Sequence, residues 1–286
     1  MKKGCFFVFI VVAVLFILAA LAGLGGGASR LTEEPVMVMK LEGPIRNVDT
    51  LVKELHDYQK SETVKAVVLR IDSPGGLVGP SQEMYRQIQK FRKSGKVLVA
   101  SMSSVAASGG YYIASAADQI YANAGTITGS IGVIYENFGL QDVLEKFNID
   151  SRVMTAGKYK DAGNPFRDMK PEEKAYLQAF IDDLYEQFLK DVAKGRKLPL
   201  ETIRELAEGK IYTGSQAHAV KLVDGLGNAF DAIEAAKALA SLPEDAKVKW
   251  PKEPSPFDSF FEPEGAVRLM QKIRGFFLAE HLPSYL

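Results

Sequence analysis

The chain has 286 residues, 47% of them hydrophobic, with 35 basic and 35 acidic side chains. That length accommodates one domain of catalytic size with appendages, and the even charge gives no general pull toward nucleic acid. The single cysteine, Cys5, excludes an intramolecular disulfide and a cysteine-based metal site, and in its apolar setting it reads as an inert thiol.

Lys2 and Lys3 precede 4-GCFFVFIVVAVLFILAALAGLGGGAS-29, which carries no charge. As a helix, its first 21 residues would span roughly 30 Å, the thickness of a bilayer core. A cleaved signal peptide has a shorter apolar run of about 7–15 residues and a small-residue cleavage site. The expectation is a retained signal anchor over 4–24 with a cytoplasmic stub over 1–3, so that the remainder lies outside the cytoplasm. The match of 23-GLGGGA-28 to a dinucleotide fingerprint is set aside, because it follows the long apolar segment and opens no helix of a βαβ unit.

After a linker over 25–34, regular elements begin. Residues 35–43 read as a strand and 49–60 as a helix capped by Asp49. The strand 64–72 is rich in β-branched residues; Pro80 sits where the next helix should start, 81–94 continues it and Gly95 stops it. A strand over 97–101, a short helix over 108–117 and strands over 119–123 and 131–137 come next. Then come a helix over 140–147, a strand over 151–155 and an irregular loop over 156–170. Pro171 opens a long helix, 172–195, whose Tyr176, Phe180, Leu184, Phe188 and Val192 share one face. Further helices are expected over 200–208, 214–220 and 229–240. The alternation of strand and helix predicts an α/β domain over 35–240, with a largely parallel sheet and flanking helices. Pro and acidic residues mark 241–264 as a linker, and 265–286 as a tail with an amphipathic, basic stretch suited to a membrane, a partner or the domain itself.

Chemistry gathers around 104-SVAASGGYYIAS-115. Ser108 comes after a strand and opens a helix, where free N–H groups and positive partial charge suit an oxyanion; the Gly109 N–H is one donor. The pattern half-matches a nucleophile elbow, with Ala106 in place of the first glycine. A second element, 72-DSPGG-76, stands at the carboxyl end of a core strand, where open α/β sheets bind their ligands. Its Gly76 N–H is a second candidate donor, and the Gly75–Gly76 edge could pair with an extended peptide. Taken singly, the two read equally well as a serine cap and an ordinary turn. A serine nucleophile needs a base. His56, His218 and His281 all fall on helices or the tail, away from strand ends, so a lysine lowered by burial toward ~7–8 is the remaining choice. Lys158 and Lys160, in 156-AGKYKDAGNPF-166, are the candidates.

Together, DSPGG, SVAASGGYYIA, 125-GTITGSIGV-133, AGKYKDAGNPF, 212-YTGSQA-217 and 223-VDGLG-227 closely resemble the bacterial signal peptide peptidase A family, over about residues 36–240. The resemblance implies the Clp-protease/crotonase fold of repeated ββα units, preceded here by one transmembrane helix. It implies Ser108 as nucleophile, Lys160 as general base, Ser130 as the hydroxyl that orients the lysine, and Gly109 and Gly76 as the oxyanion hole. It also implies a ring or dome of identical subunits with serine and lysine drawn from neighbouring copies, and no cofactor or metal. Asp72 departs from the asparagine common at its position, and His218 is an unusual continuation of the YTG segment. The implied activity is endoproteolysis of remnant signal peptides or other extended apolar peptides at the outer membrane face. Two rivals stand beside it. A crotonase-type acyl-CoA enzyme would use the same two N–H donors but needs neither Ser-Gly-Gly nor an anchor, and an inactive ring-forming scaffold would have no use for Ser108 and Lys160.

Overall fold

A computed structural model describes residues 35–252. The anchor expected over 4–24 and the tail over 265–286 lie outside them. Among the described residues no helix is long and apolar enough to cross a membrane.

Strand β1 (Val36–Glu42) runs into helix α1 (Asp49–Lys60), and β2 (Ala66–Ser73) into α2 (Val78–Lys93). Strand β3 (Val97–Ala107) ends directly at Ser108, and α3 (Gly109–Ala114) succeeds it. Next come β4 (Gln119–Ala122), β5 (Ile127–Gly129), α4 (Gln141–Lys146), α5 (Pro171–Arg196) and α6 (Leu200–Leu206). The series closes with β6 (Ile211–Thr213), α7 (Gly214–Ala219), β7 (Gly225–Leu226), α8 (Ala229–Leu239) and β8 (Val248–Lys249). The strands form one eight-stranded sheet in the order β6-β5-β3-β2-β1-β8, with β4 pairing β3 and β7. Every pairing is parallel except β5 with β6. This is the α/β architecture with a largely parallel sheet that the strand–helix alternation predicts.

The alternation of side chains along a strand explains the layering. Met37, Met39 and Leu41 of β1, with Val67, Leu69 and Ile71 of β2, face a large core built with α1, α2, α3 and α5. Val36, Val38, Ala66, Val68 and Val99 face the other way, onto Ala232, Ile233 and Ala236 of α8. Both faces are covered, so these strands carry near-continuous apolar runs. In α2, Met84, Tyr85, Ile88 and Phe91 fall on one side and are all buried.

A register shift in the middle of the sheet sets the direction of the β3 end. Strands β2 and β3 pair regularly from Ala66↔Val97 to Ile71↔Met102, then resume at Ser73↔Ala106, with β3 gaining two residues. Side chains satisfy the backbone that the shift leaves unpaired. Asp72 Oδ1 accepts from the Val105 N–H at 3.1 Å, and Thr126 Oγ1 donates to the Ser103 carbonyl at 2.6 Å. Below the shift β3 pairs with β4, and above it with β5. Such irregularities bend a strand and re-aim its end, and here the re-aimed end carries Ser108.

Several local expectations differ from the structure. Asp49 is the first helical residue of α1 and not its cap; the residue before it is Val48, and Asn47 Oδ1 accepts from the Asp49 N–H at 2.8 Å. Helix α2 begins at Val78, two residues ahead of Pro80, whose fixed φ the first turn tolerates. Neither 131–137 nor 151–155 is a strand: both run without regular pairing, although Ile134, Val153 and Met154 have strand-like side chains. In the stretch read as a linker, Val248 and Lys249 pair with Val36 and Met37 at the sheet edge.

Candidate active site

The two glycine-bearing motifs meet at the carboxyl ends of β2 and β3. A side chain on Gly75 would place its Cβ 2.7 Å from the Gly109 nitrogen and 2.8 Å from Ser108 Cβ. One on Gly109 would come within 2.5 Å of Ser81 Oγ and 3.3 Å of the Gly76 nitrogen. Backbone therefore lies against backbone at Gly75, which requires glycine for space and, at φ +100°, for conformation; at Gly109 the atom that crowds a side chain most is the Ser81 hydroxyl.

Ser108 takes φ 51° and ψ −120°, a region that costs a non-glycine residue of order 1–3 kcal/mol and persists only where the surroundings enforce it. Those surroundings are visible. The Ser108 N–H donates to the Gly129 carbonyl at 2.9 Å, and the Ser108 carbonyl accepts from the Tyr112 N–H at 2.8 Å. Its side chain makes no capping bond, which disposes of the alternative that this serine serves only as a helix cap.

The two tyrosines after the glycines tie α3 to two different parts of the chain. The hydroxyl of Tyr111, fully buried, donates to the Leu222 carbonyl at 2.9 Å. Tyr112 OH donates to the Asp191 carboxylate of α5, and Tyr85 OH of α2 donates to the Asp191 carbonyl at 2.8 Å. Burial, reinforced by the Asp191 carboxylate, pushes the Tyr112 hydroxyl well above the usual tyrosine range, so it stays a donor at any physiological pH. The ring of Tyr112 packs 5.0 Å from that of Tyr85 and 4.7 Å from that of Phe188.

Neither Gly76 nor Gly109 has a partner for its N–H among the described residues. Around Gly76 the Gly75 carbonyl accepts from Ile45 and the Leu77 N–H donates to Ile45, both at 2.8 Å. An extended backbone alternates direction, so the Gly76 N–H points to the opposite side, toward Gly109. Ser108, Gly109, Gly76 and Ser130 all line one cleft of about 640 Å³, with Pro74, Ser81 and Tyr112. Val133 and Ile134 form one apolar wall, and Ile181, Leu184 and Phe188 of α5 another. Ser130 has φ 51°, and its N–H donates to the Lys210 carbonyl at 2.7 Å.

Lys160 does not line this cleft. It is exposed on the turn after Gly157, as is Lys158, whose ammonium lies 5.1 Å from the ring centroid of Tyr159. His56 and His218 are exposed on α1 and α7 and do not line the cleft either. Of the five residues that the resemblance implies, Ser108, Gly109, Gly76 and Ser130 thus line one cleft within one chain and Lys160 does not; Gly75 packs against Ser108 and Gly109 beside them.

Sequence reasoning misses Ser81, a buried hydroxyl in the cleft that donates to the Leu77 carbonyl at 2.9 Å. It misses Asp191 too, whose partners are 79 and 106 residues away; no local pattern marks such a pairing. The 223-VDGLG-227 motif has a structural explanation. Asp224 holds the buried guanidinium of Arg196 in a two-pronged pair at 2.7 and 2.8 Å and accepts from the Ile120 N–H at 2.8 Å.

Comparison with known proteins gives the family. The model of peptidase family S49 matches residues 90–243. A Synechocystis sp. protein provisionally named a protease is 46% identical over 192 residues, covering 67% of this chain and 69% of that one. The serine protease SPPA of Arabidopsis thaliana chloroplasts is 35% identical over 235 residues, 79% of this chain. Protease 4 of Salmonella typhi is 34% identical over 223 residues, 78% of this chain. This chain spans 35% of the Arabidopsis protein and 36% of the Salmonella protein.

Proposed function

The chain belongs to peptidase family S49, and from that premise we propose that it is a membrane-anchored serine endopeptidase with a Ser-Lys dyad on the Clp-protease/crotonase fold. The supporting observation is Ser108 itself: a serine forced to positive φ at the end of a bent strand, its hydroxyl unused for capping, beside two unpartnered N–H groups in a cleft with apolar side chains on two of its walls.

In this reading Lys160, neutral, takes the proton of Ser108 as Oγ adds to a peptide carbonyl. The oxyanion accepts hydrogen bonds from the N–H groups of Gly109 and Gly76. The intermediate collapses, the protonated lysine gives its proton to the departing amine, and the acyl group remains on Ser108. Water deprotonated by the same lysine then releases it. Ser130 orients the lysine. The cleft takes an extended apolar segment against the Gly75–Gly76 edge, which suits a signal-peptide remnant lying in the membrane that residues 4–24 would span. The working domain is 35–240, outside the cytoplasm.

A lysine acts as a base only after burial has lowered its pKa, and Lys160 of a single chain is exposed. A neighbouring copy is the natural source of that burial. Ile134, Phe138, Phe147, Met154, Tyr176 and Phe180 stand exposed on the segment around Lys160, and large apolar side chains left exposed in such number suit an association surface. The site would then be completed between subunits of a homo-oligomer.

Ser108→Ala and Lys160→Ala should each abolish peptide hydrolysis while leaving the fold intact. Mixing the two inactive proteins should restore part of the activity, because some sites then pair an intact serine with an intact lysine. Parent-level hydrolysis by Lys160→Ala alone would remove the dyad, and inactivity of every mixture would remove the shared site.

A further inference from the structure

Lys160 is exposed on its turn, yet both neighbours of Lys160 in the chain are tied down. On one side the ring of Tyr159 stacks on Tyr176 of α5, with centroids 4.6 Å apart and planes 17° apart. On the other, Arg167 reaches back over the turn. Its Nε donates to Asp161 Oδ2 at 2.8 Å and its Nη2 to the Asp161 carbonyl at 2.8 Å. The same guanidinium grips Glu173 in the first turn of α5, with Nη1 and Nη2 donating to the two carboxylate oxygens at 2.8 and 2.7 Å. Glu173 also accepts from the Lys170 N–H at 3.1 Å.

One planar cation thus fastens the lysine-bearing turn to the start of α5, whose far half is built into the core through Phe188, Leu189 and Val192. The fork geometry suits this bridging, since arginine can hold one carboxylate two-pronged and still donate elsewhere. The clamp is no loose surface pair: Glu173 is 2% exposed and Arg167 29%. The guanidinium holds the Glu173 carboxyl down to about 2 and the Asp161 carboxyl below the usual range, so both are charged throughout the working pH range.

We propose that Arg167 is a positioning residue for Lys160: by locking Asp161 onto Glu173 it fixes the backbone from which the lysine reaches a serine outside its own turn. The inference rests on the reading of Lys160 as the general base. A base must come within hydrogen-bond reach of the proton it takes, about 2.6–3.2 Å. A lysine on a loose turn would have to order its backbone as well as its long side chain at each encounter.

The test compares Arg167→Ala, Arg167→Lys and Glu173→Gln with the parent in full-length protein, on a fluorogenic apolar peptide. Arg167→Ala should lower kcat by about 10- to 100-fold with KM little changed, the loss expected for misplacing a catalytic group by about 1 Å. The acid limb of its pH–rate profile should move to higher pH, because the base must be neutral to act and a misplaced one is harder to keep so. Arg167→Lys, which keeps the charge without the fork, should recover only part of the rate. Amide exchange in 157–164 should quicken in the same order. Should Arg167→Ala fail to fold, the near-isosteric Glu173→Gln must give the same pattern with a smaller loss. Parent-level kcat with an unmoved pH profile in a folded variant would overturn the inference, as would a loss of rate explained wholly by loss of assembly or with an unmoved acid limb. Lys160→Ala separates the two claims: if it is active the base assignment fails, and if it is inactive while Arg167→Ala is normal only the positioning role fails.

Discussion

The strands beneath the cleft and the segment beyond it use the same side chains to opposite ends. Between Val36 and Ile131 the large apolar residues are inside, with Val67, Leu69, Ile71, Leu98 and Met102 wholly buried and Leu77 and Ile127 the exposed exceptions. From Ile134 to Phe180 the same residue types face solvent, Ile134 at 89% and Met154 at 100% exposed. Helix α5 joins the two regimes: Tyr176 and Phe180 are bare, while Phe188 and Val192 on the same stripe are core. An apolar stripe says which face will be covered, not which molecule covers it. In the proposed reading the first region makes the nucleophile's half of the site within a chain, and the second awaits another copy.

The contrast yields predictions that would break or sharpen it. The largest effect is expected in the buried region, where Phe91→Ala removes a fully buried ring and should cost about 3–5 kcal/mol in urea unfolding. At the junction of the two loops, Gly109→Ala keeps the backbone N–H but displaces it by crowding, and should lower kcat by up to about 10²–10³, the size of losing one oxyanion donor. Its new methyl would lie 2.5 Å from Ser81 Oγ, so adding Ser81→Gly should return part of the rate. On the acid side, Glu173 is held at about 2, chiefly by its hydrogen bonds from Arg167, against an ordinary carboxylate value near ~4.3 in the unfolded chain. Its contribution to stability should be complete above that ordinary value and vanish as pH falls through about 2. Urea midpoints between these limits should therefore fall with acid in the parent and fall less in Glu173→Gln. The smallest effect on monomer stability should come from Phe180→Asp, within about 0.5 kcal/mol as for exposed sites generally. If the bare stripe is an association surface, that variant should nevertheless lose oligomer mass in light scattering and lose hydrolysis with it.

Much of the first region is legible from sequence, because burial on both faces of a parallel sheet leaves mostly apolar runs within 35–43, 64–72 and 97–101, although the continuation of β3 through Ser103 and Ser104 to Ala107 is not read from them. The placement of Ser108 is legible too, since a glycine pair after such a run marks a strand turning into a helix. The stretches 131–137 and 151–155 mislead for a physical reason: β-branched and aromatic residues occur in a strand and in an exposed irregular segment alike, and only the unpaired backbone tells them apart. The register shift in β3 is invisible locally because it depends on Thr126 and Asp72 filling gaps from other elements. Arg167 is hidden for a similar reason; an arginine six residues from each of two acids looks like a solvated run until the turn folds them onto one guanidinium.

At the contact of Gly75 with Gly109 there is no side chain to act as a spacer, so the two loops are shaped to each other's bare backbone. Either loop grafted alone from a distant relative would arrive with the wrong contour, whereas the matched pair could be moved together. For anyone seeking to retune this cleft, the unit of exchange is two loops at once, and diversity belongs in the walls around them.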